Sequence, residues 1–329
     1  MVKISNDKLK KLIIGNARIT DPDVLVGPKV GEDAAIIKLN GNYLAVHSDP
    51  ITGSLNDIGW LAINVPANDI ATRGVRPRWF VLTLLLPRFF SDDDLMKVMN
   101  QVNDALAALG GSLIGGHTEY VRETRFPIAS TTVMGVGAAY VSTSGLRAGD
   151  AVVATKYAAI EATAIAARDL ENDLRKRGVS GEVITRASAL IRNVSVVKEA
   201  LIAARYASSM HDPTEGGVIQ GLLEMASASG TCINVDSSIP VLPETSEVLG
   251  AVGIDPYRSL SSGMLLIGVK PGLLEGLLAD LSDNGVPAKP IGKAVKCGKP
   301  CVELNGLAIC EDEFVEDELM KLLDETSRQ

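Results

Sequence analysis

The feature that most constrains the fold of this 329-residue chain is a repeated alternation of β-strand and α-helix signals, in two successive segments. In the first segment two apolar runs are joined by Asn40-Gly41, a strong β-hairpin signal. The polar stretch Leu146–Asp150 separates this segment from the second, which begins with the apolar run 151–155. We therefore predict an α+β protein with two domains, residues 1–148 and 149–329.

Capping and helix-breaking residues predict where several helices begin and end. Ser54 is expected to cap a helix that Pro66 kinks or ends near its middle. Ser91 is expected to cap a second amphipathic helix. Further along, one helix is predicted around 183–204, and the acidic tail from Glu311 is predicted to end in a solvated helix.

Composition excludes several classes of protein. With 46% hydrophobic residues the chain can form a substantial core, which argues against a disordered protein. Its 32 basic and 40 acidic side chains give a net charge of −8, and only 4% of residues are aromatic, so neither nucleic acid nor an anionic membrane is expected as the main partner. The longest uncharged run, Phe126–Leu146, contains Pro127 and three glycines, so it is a poor membrane span. The N-terminus lacks the pattern of a signal peptide, and we expect a cytoplasmic protein.

The four cysteines all lie in the last third of the chain, and a chain with so large a core does not need disulfides. Cys297 and Cys301 flank a Gly-Lys-Pro turn and could face each other across a hairpin. Zinc needs four ligands and no histidine follows these two residues, so the sequence does not favour a metal site there.

Carboxylates recur at the ends of predicted strands and helices, and histidines and glycines lie in the same loops. Four aspartates at such positions suggest cations shared between them, since a partly buried carboxylate without a partner costs free energy. Glycine-rich loops let backbone N–H groups approach an anion, and oxygen ligands suit Mg²⁺. The alternative for each residue is a helix cap or a solvated turn. The acidic residues are Asp33, Asp49, Asp69 and Asp212, and the histidines are His47, His117 and His211.

The common nucleotide-binding and catalytic motifs are missing. We find no P-loop, no complete dinucleotide fingerprint, no nucleophile elbow and no His-Glu-x-x-His helix. Ordinary kinases, dehydrogenases, hydrolases and zinc proteases are therefore poor candidates. The residues predict a Mg²⁺–phosphate site and leave its reaction open.

Five short motifs together resemble one superfamily. In chain order they are Gly31–Ala35, Ser48–Pro50, Asn68–Ala71, Gly115–Glu119 and Asp212–Gly217. Their order and spacing are similar to those of aminoimidazole ribonucleotide (AIR) synthetase, thiamine-monophosphate kinase, selenophosphate synthetase and the HypE-type hydrogenase maturation factor. The resemblance covers the chain from about Lys29 to Asn305.

The resemblance implies a fold and an assembly. The N-terminal domain would contribute a four-stranded mixed sheet to an eight-stranded barrel across a homodimer, and the C-terminal domain would be a sandwich-like α/β unit. ATP would bind beside the dimer interface, with Mg²⁺ held by acidic side chains.

Site residues follow from the resemblance position by position. The implied metal ligands are Asp33, Asp49, Asp69 and Asp212. The implied nucleotide and phosphate contacts are Lys29, Gly31, Asn68, Gly115, Gly116, His117, Thr118, Glu119, Thr214, Gly216 and Gly217. His211 and Glu215 lie where a substrate would meet the nucleotide, which makes them the catalytic candidates.

Departures from each known branch leave the substrate undetermined. No cysteine precedes Cys232, unlike selenophosphate synthetases; His117 stands in the Gly-Gly-Asp-Thr motif of thiamine-monophosphate kinases; and Asp49–Gly53 replaces a Gly-Thr-Lys run of AIR synthetases. The C-terminal cysteine motif of HypE-type proteins is not found, and Glu161-Ala-Thr163 stands where the family usually has Glu-Gly-Thr.

We therefore predict an ATP- and Mg²⁺-dependent enzyme that transfers a phosphoryl group to an oxygen of a small substrate. The phosphorylated product would be released, or the phosphate would activate an amide or carbamoyl oxygen. One alternative is a nucleotide-binding accessory protein without turnover. A third possibility is a mononuclear metal hydrolase that uses His117, Glu119 and His211.

Overall fold

The computed structural model describes residues 4, 8–52, 56–313 and 315–326, and these form a two-domain α+β fold around two mixed sheets. The expected capping residue Ser54 lies outside the described residues. In chain order the strands are β1 (Val24–Val26), β2 (Ala35–Leu39), β3 (Asn42–Ile51), β4 (Trp79–Pro87), β5 (Ser112–Val121), β6 (Ile128–Gly137), β7 (Ala151–Thr155), β8 (Ala207–His211), β9 (Cys232–Val235), β10 (Leu266–Val269), β11 (Ala288–Val295), β12 (Cys301–Leu304) and β13 (Leu307–Cys310). The helices are α1 (Ile58–Thr72), α2 (Asp92–Leu109), α3 (Ile160–Asp169), α4 (Glu171–Lys176), α5 (Gly181–Ala189), α6 (Val197–Ala203), α7 (Gly217–Ser229), α8 (Pro243–Val252), α9 (Leu274–Asp283) and α10 (Glu318–Thr326).

The first sheet has the order β1-β2-β3-β6-β4-β5, in which only the β4–β5 pair is parallel within the described residues. The predicted hairpin is confirmed: Asn40 and Gly41 both have positive φ, and Leu39 pairs with Asn42 across the turn. We expected four strands from the family resemblance, whereas the described sheet has six. The short β1 extends one edge, and β5 forms the other edge beside β4.

The second sheet has the order β13-β12-β9-β11-β7-β10-β8. Its β9–β12 pair is parallel, and the other described pairs are antiparallel. One edge strand, β8, ends at His211, while the β12–β13 hairpin forms the opposite edge. His211 and the β12–β13 hairpin therefore lie at opposite edges of this sheet.

Helix α1 is buried along nearly its whole length and packs between the two halves of the chain. The Trp60 indole N–H donates to the Ile191 carbonyl oxygen at 2.9 Å, which ties the helix to the second half. We expected Pro66 to end or kink this helix, but the helix continues to Thr72. Packing on most of its sides compensates for the hydrogen bond that proline cannot donate.

Ser91 caps α2 as predicted, since its hydroxyl accepts the Asp94 N–H. The single helix predicted around 183–204 is wrong: α5 and α6 are separated by the 3₁₀ turn Leu190–Asn193. The Asn68 side chain is hydrogen-bonded to the Val194 carbonyl oxygen and the Val196 N–H. These two backbone groups are therefore not available for the hydrogen bonds of a continuous helix.

The C-terminal tail is more ordered than the acidic composition indicated. Leu319 and Met320 of α10 are buried in a cluster with α3 and α5, so the helix is docked rather than solvated. The expectation that the chain lacks disulfides is wrong in the structure, which pairs Cys232 with Cys297 and Cys301 with Cys310. Cys301 and Cys310 are direct cross-strand neighbours in β12 and β13, so Cys301 does not pair with Cys297.

Across the described ranges, none of the helices combines the length and the apolar character that a membrane span requires.

Candidate functional site

The structure brings all four predicted aspartates together beside α1. Asp33 precedes β2, Asp49 lies in β3, Asp69 lies in the last turns of α1, and Asp212 follows β8. Potential ligand atoms of Asp33, Asp69 and Asp212 lie within 4.8 Å of one another, and those of His47, Asp49 and Asp69 form a second group of the same kind. Asp69 belongs to both groups, so its carboxylate is at the centre of the cluster.

The aspartate cluster has the electrostatics of a cation site. Burial, followed by the charges of Asp33 and Asp49, raises the pKa of Asp69 well above its usual value. Burial and the neighbouring Asp69 and Asp33 act on the pKa of Asp212 in the same direction. Neither carboxylate oxygen of Asp212 accepts a hydrogen bond from another described residue, although the side chain is buried. Buried carboxylate oxygens that accept no hydrogen bond are suitable ligands for a hard divalent cation such as Mg²⁺.

A buried ion network holds Asp33 in place. The Arg73 guanidinium, which is fully buried, contacts Glu32 at 2.6 Å and Asp33 at 2.8 Å. His211 Nδ1 is hydrogen-bonded to Asp33, and His211 Nε2 lies 2.9 Å from a Glu224 oxygen. Burial acts to raise the pKa of Asp33, but the charges of His211 and Arg73 outweigh it and hold this pKa below the usual value. The network therefore keeps Asp33 ionised and fixes its orientation.

His211 is a positioning residue rather than an exposed acid or base. Burial alone would lower its pKa, but hydrogen bonds and charges from Asp33 and Glu224 raise it well above the usual value. Both ring nitrogens are occupied by carboxylates, so neither faces a substrate. The expected catalytic role of His211 is therefore not supported by its geometry.

A cavity of about 180 Å³ opens next to the aspartate cluster. Asp49, Thr214 and Glu215 contribute polar groups to its wall, and Leu61 and Met320 lie among its apolar residues. The predicted catalytic candidate Glu215 thus lines the same cavity as Asp49 of the cluster. This side chain and Thr214 remain candidates for contacts with nucleotide or substrate.

Glu161 is a further acidic residue of this cavity, and sequence motifs gave it no role of its own. It lies in the first turn of α3 and is buried. Burial, with smaller contributions from Asp317, Glu215 and Asp49, raises its pKa to about 7, while Ser262 acts in the opposite direction. A glutamate in this state can hold or release a proton near neutral pH.

Three of the expected nucleotide contacts have structural roles instead. The Lys29 ammonium donates to the Ala228 carbonyl oxygen near the end of α7 at 3.1 Å. A side chain at Gly31, which has positive φ, would lie 2.8 Å from the Glu224 carbonyl oxygen. The amide of Asn68 is used by the turn before α6. Hydrogen bonds therefore account for Lys29 and Asn68, and close packing accounts for Gly31.

The two glycines at the start of α7 also have their N–H groups occupied. Gly216 N–H donates to an Asp317 oxygen at 3.0 Å, and Gly217 N–H donates to the Thr214 carbonyl oxygen at 3.0 Å. Both residues have positive φ, and a side chain at Gly217 would lie 2.6 Å from the Tyr257 carbonyl oxygen. Their glycine identity is thus set by the turn, and neither N–H is free to bind phosphate.

Residues 115–119 form part of strand β5 and not the loop that the sequence indicated. Gly115, Gly116, His117, Thr118 and Glu119 pair in parallel with β4 and are exposed at the edge of the first sheet. β5 is separated from β3, which carries Asp49, by two strands. Within one described chain these residues are therefore not gathered around the aspartate cluster. His117 and Glu119 also do not approach the buried His211, so the geometry gives the metal-hydrolase alternative no site.

Sequence reasoning missed Arg73 and Glu224 as members of the site, and it gave Glu32, which lies in the first motif, no role of its own. Weak signals existed, because Arg73 follows the apolar helix α1 and Glu224 interrupts the apolar face of α7. Charged residues in such surroundings are usually paired. The partners, however, are far apart along the chain, as with Asp33 and His211.

Comparison with protein families identifies the chain. Models described as "AIR synthase related protein", N-terminal domain and C-terminal domain, match residues 31–137 and 147–305. The chain belongs to the AIR synthase related family. This confirms the resemblance drawn from the five motifs.

Members of the AIR synthase related family with known names span most of this chain. Selenide, water dikinase of Nitratidesulfovibrio vulgaris is 27% identical, and the match covers 89% of this chain and 92% of that protein. Carbamoyl dehydratase HypE of Cupriavidus necator is 26% identical over 75% of this chain and 70% of that protein. A crystal structure of the hydrogenase maturation protein HypE in complex with ATP superposes with a TM-score of 0.70, at 19% identity, over 95% of this chain and 96% of that one. The fold is therefore shared with a protein whose structure was determined in complex with ATP.

Proposed function

We propose that this AIR synthase related protein is a Mg²⁺-dependent enzyme that transfers the γ-phosphoryl group of ATP to an oxygen atom of a small substrate. The observation that carries the proposal is the clustering of Asp33, Asp49 and Asp212 around Asp69 in two adjoining ligand groups, with both oxygens of buried Asp212 unpartnered among the described residues. A relative named selenide, water dikinase and a structure of the same fold in complex with ATP support it.

The four aspartates would hold the cations, and His47 supplies a further potential ligand atom. When bound, Mg²⁺ neutralises the triphosphate and the charge that develops during phosphoryl transfer. Hydrogen bonds from Arg73 and His211 hold the Asp33 carboxylate in one orientation, so it needs little rearrangement when a cation binds.

The cavity beside the cluster would receive the substrate. Its mixture of carboxylates and apolar side chains suits a small molecule that carries a polar group at one end. Glu215 and Glu161 line this cavity, and Glu161, with a pKa of about 7, can take up the proton of an attacking hydroxyl. Whether the phosphorylated product leaves or loses phosphate depends on the substrate.

The first test is calorimetric titration of ATP with and without Mg²⁺, with release of ADP followed in parallel. We expect Mg²⁺-dependent binding to wild type and to Asp104→Asn, an exposed helix aspartate that serves as the matched control. Asp69→Asn removes the residue common to both ligand groups, so affinity should fall at least about tenfold.

The outcomes separate the alternatives. Folded wild-type protein that binds no ATP would refute the proposal. Binding without ADP release under any substrate condition, together with a stable partner protein, would favour the accessory protein without turnover. Equal affinities for Asp69→Asn and Asp104→Asn would exclude the aspartate cluster as the metal site.

We also propose that two copies associate through the edge strand β5. This strand exposes Leu113, Ile114 and Tyr120 by 38%, 56% and 51%, and an uncovered apolar edge is normally protected by pairing. The contribution of residues 115–119 to nucleotide binding stays a prediction for such a dimer. Light scattering of wild type and Ile114→Lys tests the association: a monomeric wild type, or an unchanged dimer in the variant, would count against it.

A further inference from the structure

All four cysteines of the chain meet at one edge of the second sheet. Cys232 is bonded to Cys297, and Cys301 is bonded to Cys310. The two pairs also touch each other, because the Cys301 N–H donates to Cys232 Sγ at 3.3 Å. One continuous series of contacts thus connects Cys232 with Cys310, which lie 78 positions apart in sequence.

The arrangement has the elements of a tetrahedral thiolate site. Cys297 and Cys301 flank the three-residue turn Gly298-Lys299-Pro300, a spacing within the range found between zinc-ligating cysteines. β9 and β13 supply the other two sulphurs, Cys232 and Cys310, which the sequence alone did not connect with this turn. The fold therefore brings two further cysteines beside Cys297 and Cys301, which the spacing in the sequence did not show.

The surroundings suit thiolates that are partly accessible. Cys232 is buried, Cys301 and Cys310 are half-buried, and Cys297 is exposed, so an ion can enter from the surface. A backbone N–H bonded to a sulphur, as at Cys232, stabilises negative charge on that sulphur.

We propose that the four cysteines bind one Zn²⁺ when their thiols are reduced, and that the two disulfides are the metal-free, oxidised form of the same cluster. In a reducing compartment, grouped thiols are more typical of a metal site than of disulfides. Two equivalents of a small-molecule dithiol, each oxidised to its own disulfide, supply the four electrons and four protons that convert both disulfides into thiols. Binding of the ion then forms four S–Zn bonds and releases the four thiol protons to solvent.

The site is independent of the proposed phosphoryl transfer. The cysteines lie at the β12–β13 edge of the second sheet, whereas His211 and Asp212 lie at the opposite, β8 edge. Zn²⁺ here would join the β12–β13 hairpin to β9 and to the end of β11, and so hold the sheet edge together. Failure of the ATP experiments would leave this inference untouched, and the reverse is also true.

The test uses the full chain, reduced anaerobically, with the reductant then removed. Zn²⁺ is added together with excess Mg²⁺, which competes for the oxygen ligands of the aspartate cluster and not for thiolates. Bound metal is measured after gel filtration by elemental analysis, and Co²⁺ is added to a second sample to record its thiolate charge-transfer band. We expect about one Zn²⁺ per chain and a Co²⁺ spectrum typical of four sulphur ligands in tetrahedral geometry.

Two variants make the result specific. Cys297→Ser changes the exposed ligand, which has the least effect on packing, and it should lose at least about nine-tenths of the bound Zn²⁺. Asp69→Asn removes a carboxylate of the other cluster and should keep the full amount. Reduced wild type that binds no Zn²⁺ would overturn the proposal and leave two ordinary disulfides. Equal metal in wild type and Cys297→Ser, or a Co²⁺ spectrum without the thiolate band, would overturn it as well.

Discussion

Glu161 makes a prediction about stability that does not depend on any ligand. Because Glu161 is buried, the pKa of its carboxyl is about 7 in the folded chain, whereas in the unfolded chain this pKa is 4.5. The folded state therefore binds more protons between these two values. The contribution of Glu161 to stability is full below about pH 4.5 and is lost as pH rises through about 7.

The magnitude follows from the size of this shift. The pKa rises from 4.5 to about 7, and each unit corresponds to about 1.4 kcal/mol, so the native state loses about 3 kcal/mol across this range. Glu161→Gln keeps the shape of the side chain and cannot ionise. The variant should therefore gain about 3 kcal/mol relative to wild type between about pH 4 and about pH 8.5.

Melting temperatures of both proteins in the presence of a chelator measure this difference. For a domain of this size, the gap between Glu161→Gln and wild type should move by roughly 6–12 °C in favour of the variant as pH rises. Glu247→Gln, an exposed glutamate of α8, serves as the control and should show no such trend. A gap that stays constant with pH would refute the reasoning, because it would mean that Glu161 titrates like an exposed carboxyl.

Two further substitutions test the packing of the site. Arg73→Met leaves the buried carboxylates of Glu32 and Asp33 without their partner, so we expect a loss of about 3–5 kcal/mol in urea unfolding. Arg73→Lys keeps the positive charge but lacks the planar guanidinium, so it should recover only part of the stability that Arg73→Met loses. Gly116→Ala places a methyl group against the Leu82 carbonyl oxygen and should cost about 1–3 kcal/mol, and an unchanged melting temperature would contradict the pairing of β5 with β4.

Features set by local chemistry were predictable from the sequence. The turn at Asn40-Gly41 needs positive φ at both residues, and the Ser91 cap needs only a hydroxyl near the first N–H groups of α2. The four aspartates were identified because each lies at or near the end of an apolar element, and the family resemblance gave them a common purpose. Strand and helix boundaries in these regions depend on residues that are close in sequence.

Features set by distant contacts could not be predicted in this way. Asn68 matched a nucleotide-contact motif, but its amide is used by Val194 and Val196, more than 120 positions away. Hydrogen bonds to a turn that lies next to α1 only in the folded chain leave no local pattern. The same holds for the cysteines, since Cys232 gives no sign in sequence that Cys297 lies beside it.

The composition of the aspartate cluster shows that its formation depends on docking of the two halves of the chain. Asp33 and Asp69 come from the first half and Asp212 from the second, and Arg73 closes the same boundary by donating to the Met210 carbonyl oxygen. Three carboxylates brought so close repel one another, and this repulsion adds to the larger effect of burial in raising the pKa of Asp69. A cation that binds between them removes this repulsion and favours the docked arrangement over any separated one. The halves are therefore held together by a buried ion network. When a cation is bound, the aspartates that coordinate it hold them together as well.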